Sequence, residues 1–288
     1  MPADAAGAPL RVGLLGHPLD HSLSPAMQDA AFAAAGLPHR YELLDVAAPD
    51  LPPLMAAMRA GGWLGCNVTV PYKTVIVPLL DELRGDAEML SAVNTVQVEG
   101  RRLVGYNTDA FGFADALAAI PELRSAAGTA VVLGAGGAAR AVVWTLVQHG
   151  WRVQLLARRL EQAAALRASL ATGTIQPGTL DAPTAESRLA RARLLVNCTP
   201  VGMWPQADAD PLPAGIALPP ELFVYDLIYR PIETRLLARA AAAGCRTAGG
   251  LGMLVAQGAA AFTIWTGLDA PRRLMRTAAE RALLAGDY

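Results

Sequence analysis

Short β-branched or leucine-rich runs alternate with alanine-rich runs from one end of the chain to the other, which predicts an α/β protein with largely parallel strands. Leu10–Gly16 reads as a buried strand, residues 25–37 as a helix with Pro25 in its first turn, and Tyr41–Val46 as a strand. Leu54–Ala60 follows as a helix closed by Gly61, then Gly65–Val70 as a third strand. A helical stretch is expected around Leu79–Leu90. β-formers on either side of Glu99-Gly100-Arg101 predict a hairpin from Asn94 to Tyr106, and Thr108–Ile120 reads as a helix. The polar segment Pro121–Gly128 is broken by Pro and Gly, and the change of domain is placed between Ala110 and Gly128.

A new pattern starts at residue 129. Thr129–Leu133 is an apolar strand, Gly134-Ala135-Gly136-Gly137-Ala138-Ala139 a glycine-rich turn, residues 140–149 a helix ended by Gly150, and Arg152–Ala157 the next strand. This succession makes a βαβ unit of about 30 residues, the setting in which a GxGxxA turn binds a dinucleotide rather than being an ordinary loop. Gly134 permits the tight strand exit, Gly136 lets backbone approach a pyrophosphate seated on the helix N-terminus, and Ala139 is small enough for close helix packing. The end of the second strand chooses the cofactor. An acid there accepts from a ribose hydroxyl, whereas an arginine pairs with a 2′-phosphate. Arg158 and Arg159 come first and no acid appears before Glu161, so NADP is expected. The same two arginines also suit a solvated strand-end loop.

Composition narrows the class. At roughly 150 residues per domain, 288 residues favour two domains, and 53% apolar against 17% charged residues excludes disorder as the dominant state. A net charge of −1 without long like-charge blocks removes the footprint of a nucleic-acid or anionic-membrane binder, leaving a small molecule as the expected partner. The most apolar stretch, Leu251–Gly267, is interrupted by Gln257 and Gly258 and is too short to span a bilayer, while Asp4 stands where a signal peptide carries positive charge. A cytoplasmic protein is expected. Cys66, Cys198 and Cys245 are odd in number and form no CxxC pair, which argues against disulfides and structural zinc. His17 and His21 are four apart, but Pro18 opposes the helix that would align them, so no metal site is expected.

Small hydrogen-bonding groups concentrate in His21–Pro25, Asn67–Lys73 and Asn107–Asp109, where predicted strands end and helices begin. Such ends line the ligand crevice of open α/β sheets. Ser22 and Ser24 are alternatively helix caps, and Asn67 and Thr69, two apart on a strand, are expected on one side. With HSLSP, GCNVTVPYK, AVNTV, GYNTDAFGF, GAGGAARA, NCTPVGM, YDLIYRP and GMLVAQGAAAFTIWTG in order from about Leu10 to Gly267, the chain resembles the shikimate dehydrogenases.

That resemblance implies two α/β domains with a cleft between them. The first, residues 1–110 plus 251–288, is a substrate-binding catalytic domain with a mostly parallel sheet; the second, residues 111–250, is a Rossmann-type NADP-binding domain. It implies reversible reduction of 3-dehydroshikimate to shikimate, with Ser22, Ser24 and Tyr229 on the substrate carboxylate. Thr69, Lys73, Asn94, Asp109 and Gln257 surround the ring hydroxyls, Lys73 and Asp109 being the catalytic pair. Gly134, Ala135, Gly136, Gly137 and Ala138 hold the pyrophosphate, Arg158 the 2′-phosphate, and backbone at Leu227 and Gly250 the nicotinamide. Reduction of a ring ketone needs a proton donor within about 3 Å of the developing alkoxide, and Lys73 is the candidate, oriented by Asp109. The family's NRTxxR run reads Ala157-Arg158-Arg159-Leu160-Glu161-Gln162 here, without its Asn, Thr and last Arg, so Arg159 would have to compensate and NAD use stays open. A quinate/shikimate dehydrogenase of relaxed specificity, an aminoshikimate-type paralogue and a silent ligand-sensing regulator are the alternatives, each as monomer or homodimer.

Overall fold

The computed structural model describes residues 9–17, 19, 22–124, 127–170 and 172–285. The N-terminal segment read for export, His21 of the metal reading, and Ser125 and Ala126 of the interdomain segment lie outside them. The chain divides into two compact units, residues 1–112 with 255–288 and residues 113–254.

The first unit begins with β1 (Arg11–Gly16), α1 (Ser24–Ala34), β2 (Arg40–Asp45), α2 (Leu51–Ala60) and β3 (Trp63–Val68). β1 is buried from Val12 to Gly16 and pairs parallel to β2 on one side and β3 on the other, as a continuous apolar run in a parallel sheet should. Then come β4 (Glu82–Leu83), α3 (Asp86–Leu90), β5 (Thr95–Glu99), β6 (Arg102–Tyr106) and α4 (Thr108–Ala118). The sheet order is β2-β1-β3-β5-β6-β4, with β5 antiparallel to both β3 and β6. Gly100, at φ +63°, turns the β5–β6 hairpin.

The helix expected over residues 79–90 does not form. The Asp81 carboxylate accepts the Leu103 amide at 2.7 Å, and Glu82–Leu83 is drawn in as an edge strand parallel to Val104–Gly105. Gly85 at φ +60° then redirects the chain, leaving helix only from Asp86 to Leu90. Pairing with β6 overrides local helix propensity here.

The second unit runs β7 (Thr129–Leu133), α5 (Gly137–Gln148), β8 (Arg152–Ala157), α6 (Leu160–Leu170), β9 (Ile175–Thr179), α7 (Ala182–Leu189), β10 (Leu194–Asn197), β11 (Phe223–Asp226), α8 (Arg235–Ala242) and β12 (Arg246–Ala248). All its strand pairs are parallel, in the order β12-β11-β10-β7-β8-β9. Chain order therefore reverses between β7 and β10, the place where doubly wound sheets open a crevice at their carboxyl ends. Val131, Leu133, Leu195 and Val224 are wholly buried in this sheet, each such side chain contributing roughly 1.5–3 kcal/mol. Pro177 sits on the outer strand β9, where a missing N–H costs no ladder bond.

From Val255 onward, α9 (Leu251–Thr266) and α10 (Arg272–Ala285) belong to the first unit again. Trp265 Nε1 donates to the Val96 carbonyl at 2.9 Å, Gln97 Nε2 to that of Ile264 at 2.8 Å, and Gln28 Nε2 to that of Gly258 at 2.9 Å. Gly65 is required below Trp265: a Cβ there would overlap the indole and the Val96 carbonyl. Among the described residues, no helix is long and apolar enough to cross a membrane.

Candidate active site

In the first unit, the ends of β1, β3 and β6 and the start of α4 bring most of the expected substrate-side groups together. Gly16 ends β1, and a Cβ on it would lie 2.5 Å from Thr69 Cγ2 and 2.6 Å from Leu19 Cδ2, so glycine lets the Thr69 segment close over the strand end. Thr69 lies just past β3, in the turn whose Tyr72 amide bonds its carbonyl at 2.8 Å. The alternation argument for Asn67 and Thr69 therefore stops at Val68. Asn67 is instead buried under the site, accepting the Tyr41 hydroxyl at 2.7 Å and donating to the Asn94 carbonyl at 3.1 Å and Thr95 Oγ1 at 3.0 Å.

Lys73 Nζ donates to Asp109 Oδ2 at 2.5 Å, with the two side chains only 14% and 7% exposed. Asp109 is at the first turn of α4, where the helix dipole favours a carboxylate. Asn107 caps that turn through Oδ1, which accepts the Asp109 and Ala110 amides at 3.1 and 3.2 Å. Asn94 holds the other carboxylate oxygen. Its Nδ2 lies 2.9 Å from Asp109 Oδ1, 2.9 Å from Thr108 Oγ1 and 3.3 Å from Gln257 Oε1. One amide carries two hydrogens, so three acceptors oversubscribe it, and the longest contact, to Gln257, is the easiest to exchange for a ligand hydroxyl. An ammonium has three donors and Asp109 takes one, leaving two for a substrate oxygen.

Ser24 opens α1 and is buried, one residue earlier than the expected helix start; Leu23 occupies the cap position without a side-chain bond. Ser22 Oγ accepts the Ser24 amide at 3.2 Å, a local turn rather than a helix cap. Cys66 is buried beside the site, and burial pushes its thiol up to about 12, which removes it as a nucleophile. Among the described residues, no group of three or more His, Cys, Asp or Glu side chains is placed to hold a metal ion.

In the second unit, Gly134 leaves β7 at φ +97°, with Thr199 Cγ2 3.0 Å from where a Cβ would stand. α5 begins at Gly137, earlier than the sequence suggested, because Gly137, Ala138 and Ala139 form its first turn. That turn has no side-chain cap, leaving the orphan N–H groups of a helix start available to an anion. Gly136 is exposed, and a Cβ on it would meet nothing within 4 Å. Arg158 and Arg159 are exposed at the end of β8. Uncapped amides at the switch point and two guanidinium groups on the neighbouring strand fit a pyrophosphate and a ribose 2′-phosphate.

Backbone at Leu227 and Gly250 comes together: Gly250 packs so closely that a Cβ would overlap the Leu227 carbonyl, and its amide bonds the Ile228 carbonyl at 3.0 Å. Tyr229, half-buried in the same loop, has its phenol raised by burial against the opposing Arg230 charge, so it is a hydroxyl donor at neutral pH. It belongs to the second unit, whereas Ser22 and Ser24 belong to the first.

Family models match the chain as the shikimate dehydrogenase substrate binding domain over residues 14–96 and as the shikimate 5′-dehydrogenase C-terminal domain over residues 250–280. The shikimate dehydrogenase (NADP(+)) of Symbiobacterium thermophilum is 46% identical over 279 residues, covering 94% of each chain. The chain belongs to the shikimate dehydrogenase family. The crystal structure of shikimate 5-dehydrogenase from Thermus thermophilus in complex with NADP(H) and shikimate matches with a TM-score of 0.83 and 42% identity, over 95% of this chain and 100% of that one. Quinate dehydrogenase from Corynebacterium glutamicum in complex with NAD matches with a TM-score of 0.85 and 33% identity, over 95% and 99%.

Within this shikimate dehydrogenase fold, the supporting groups Tyr41 and Thr95 are ones that sequence reasoning missed, whereas Asn107 and Thr108 lie in the polar run Asn107–Asp109 expected to line the ligand crevice. The signal of Tyr41 and Thr95 is weak, because both read as ordinary strand residues until strand pairing brings them to Asn67. Asp226 is missed likewise. It is wholly buried at the end of β11, and burial pushes its carboxyl from an ordinary 3.8 up to about 6, despite bonds from Thr234, the Ile228 amide and Asn197. Burial, helped by the Asp226 charge, also holds the Cys198 thiol well above its ordinary value.

A carboxyl that binds its proton more tightly in the folded chain stabilises the fold at low pH. Its contribution is complete below 3.8 and lost as pH rises through about 6. Relative to an Asp226→Asn variant, the parent chain therefore gains about 1 kcal/mol between pH 7 and pH 5, towards a limit of about 3 kcal/mol. Urea unfolding of both proteins at the two pH values measures this. A parent-minus-variant difference in unfolding free energy that stays constant or falls on acidification contradicts it.

Proposed function

We propose that the chain catalyses the reversible, NADP-dependent reduction of 3-dehydroshikimate to shikimate in aromatic amino acid biosynthesis. The observation carrying this reading is the buried Lys73–Asp109 pair, 2.5 Å apart and braced by Asn94. Residues 1–110 with 251–288 serve as the substrate domain and 111–250 as the NADP domain. Ser22, Ser24 and Tyr229 bind the substrate carboxylate through hydroxyl donors; Thr69, Asn94 and Gln257 bind ring hydroxyls.

Bound NADPH supplies the hydride. Lys73 donates a proton to the alkoxide that forms, and Asp109 fixes the ammonium while Asn94 holds Asp109 in turn. In the reverse direction the same lysine receives the hydroxyl proton. Gly134 to Ala138 seat the pyrophosphate, Arg158 and Arg159 the 2′-phosphate, and Leu227 and Gly250 backbone the nicotinamide. The protein acts in the cytoplasm as a monomer or homodimer.

Initial rates followed at 340 nm, with shikimate and quinate each against NADP and NAD, test this reading. Shikimate with NADP leads if it holds. Comparable quinate or NAD rates support a relaxed dehydrogenase, a reading favoured by Ala157, Arg159 and Gln162 in place of the Asn, Thr and Arg of the family run. No turnover with any pair favours another substrate or a ligand-sensing regulator. Arg158→Ala raises the KM for NADP about tenfold while the NAD rate is nearly unchanged, since only the phosphate loses a charge-assisted bond. Equal losses with both cofactors assign Arg158 no part in reading the phosphate.

A further inference from the structure

The second unit contains a buried acid that touches neither of the proposed ligands. Asp226 Oδ1 accepts the Ile228 amide at 3.1 Å and Asn197 Nδ2 at 3.0 Å, while Oδ2 accepts the Thr234 hydroxyl at 2.7 Å. These three donors come from the ends of two adjacent strands and the start of α8, and none is a cation. Between Asp226 and Ile228 lies Leu227, whose own amide bonds the Asn197 carbonyl at 3.1 Å and whose carbonyl is pressed on Gly250. Asn197 Oδ1 in turn binds the Thr199 amide at 3.0 Å and its hydroxyl at 2.7 Å, and Thr199 Cγ2 is the group against Gly134. One carboxylate thus ties the Leu227 peptide to the loop beside the glycine turn.

Keeping an ion in such a place is unfavourable, since an isosteric amide would avoid the desolvation. A carboxylate has what an amide lacks, acceptors on both oxygens, and all three neighbours are donors. An asparagine at this position would present N–H to one of them. The Thr234 bond is the shortest of the three at 2.7 Å, and its hydroxyl oxygen also accepts the Leu237 amide at 3.3 Å as the cap of α8, so this one side chain joins Asp226 to the start of that helix.

We propose that Asp226 is a positioning residue for hydride transfer, fixing the Leu227–Ile228 backbone against Gly250 so that the nicotinamide is held in register with the substrate. This rests on the assignment of that backbone to the nicotinamide in the proposed function. A displacement of about 1 Å at such a contact is enough to cost 10²-fold in rate, whereas the 2′-phosphate end of the cofactor is assigned to Arg158 past the end of β8, outside this chain of hydrogen bonds.

The test compares the parent enzyme with Asp226→Asn, and Thr234→Val with Thr234→Ser, at a temperature where melting curves show every protein folded. The readouts are kcat and KM with shikimate and NADP, the Kd of 2′,5′-ADP, and the isotope effect with shikimate deuterated at the carbinol carbon that is oxidised. The expected result is a kcat at least tenfold lower in Asp226→Asn and an enlarged isotope effect, with shikimate KM within threefold and 2′,5′-ADP affinity within twofold. Thr234→Val shows a smaller loss of the same kind, and Thr234→Ser restores the rate. A kcat within twofold of the parent, in Asp226→Asn or, where that variant does not fold, in Thr234→Val, overturns the proposal. So does a rate loss matched by loss of 2′,5′-ADP binding, which marks a merely structural role. A parent enzyme that binds 2′,5′-ADP but turns over no shikimate overturns the activity itself, and this inference with it.

Discussion

Lys73→Met lowers kcat by about 100-fold or more while the KM for shikimate changes less than threefold. The size follows from what is lost. General acid–base assistance contributes typically 10²–10⁴-fold, and methionine keeps the length and apolar stem of lysine while deleting the only part that can meet the alkoxide. The bond from Nζ to Asp109 at 2.5 Å also disappears, leaving a carboxylate only 7% exposed without its cation. Asp109 still keeps Asn94 Nδ2 at 2.9 Å and its place in the first turn of α4, so the site retains its shape and binding survives. Steady-state kinetics with saturating NADP measures the split. A variant that loses affinity at unchanged kcat makes Lys73 a binding residue and moves the proton donor elsewhere.

Gly250→Ala is the second large effect, and it arises without any change in charge or hydrogen-bonding groups. The added methyl overlaps the Leu227 carbonyl, a backbone atom that cannot rotate away. Leu227 is pinned by its amide to Asn197 at 3.1 Å and Gly250 by its own to Ile228 at 3.0 Å, so relief breaks a bond or shifts both segments. Overpacking of this kind costs typically 1–3 kcal/mol, and a shift near 1 Å at a reacting centre costs about 10²-fold in rate. The expected outcome is a lower Tm together with a kcat reduced about 100-fold, and 2′,5′-ADP binding close to that of the parent. Full activity in the alanine variant contradicts a tight Leu227–Gly250 contact in the working enzyme.

Much of this is legible in the chain itself. Thr129–Leu133 and Arg152–Ala157 have the predicted bounds, the first because an apolar run lies between Gly128 and Gly134, the second because Gly150 ends the helix before it and Arg158-Arg159 end the apolar residues after it. The Lys73–Asp109 pairing is legible only through the family resemblance, since 36 residues separate them and no spacing rule connects a turn after one strand to the start of a distant helix. Residues 79–90 go the other way. Their composition favours a helix, but the Asp81–Leu103 bond and the pairing of Glu82–Leu83 with β6 are decided by residues about 20 positions away. Asp226 is invisible for a similar reason: one acid after an apolar run is indistinguishable from a solvated strand end until Thr234 and Asn197 are placed around it.

The return of α9 and α10 to the first unit sets an order of assembly during synthesis. The N-terminal part of that unit leaves the ribosome first, yet the Gly65–Val96 face waits for Trp265, and Gln28 waits for a carbonyl 230 positions later. Residues 113–254 are one uninterrupted stretch with their own sheet and emerge before most of α9 and all of α10. The middle of the chain is thus able to fold cotranslationally, while the rest of the first unit keeps an unfinished apolar surface until α9 and α10 have emerged. That interval, at synthesis rates of about 5–20 residues per second, is where chaperone binding and aggregation compete with completion of the fold.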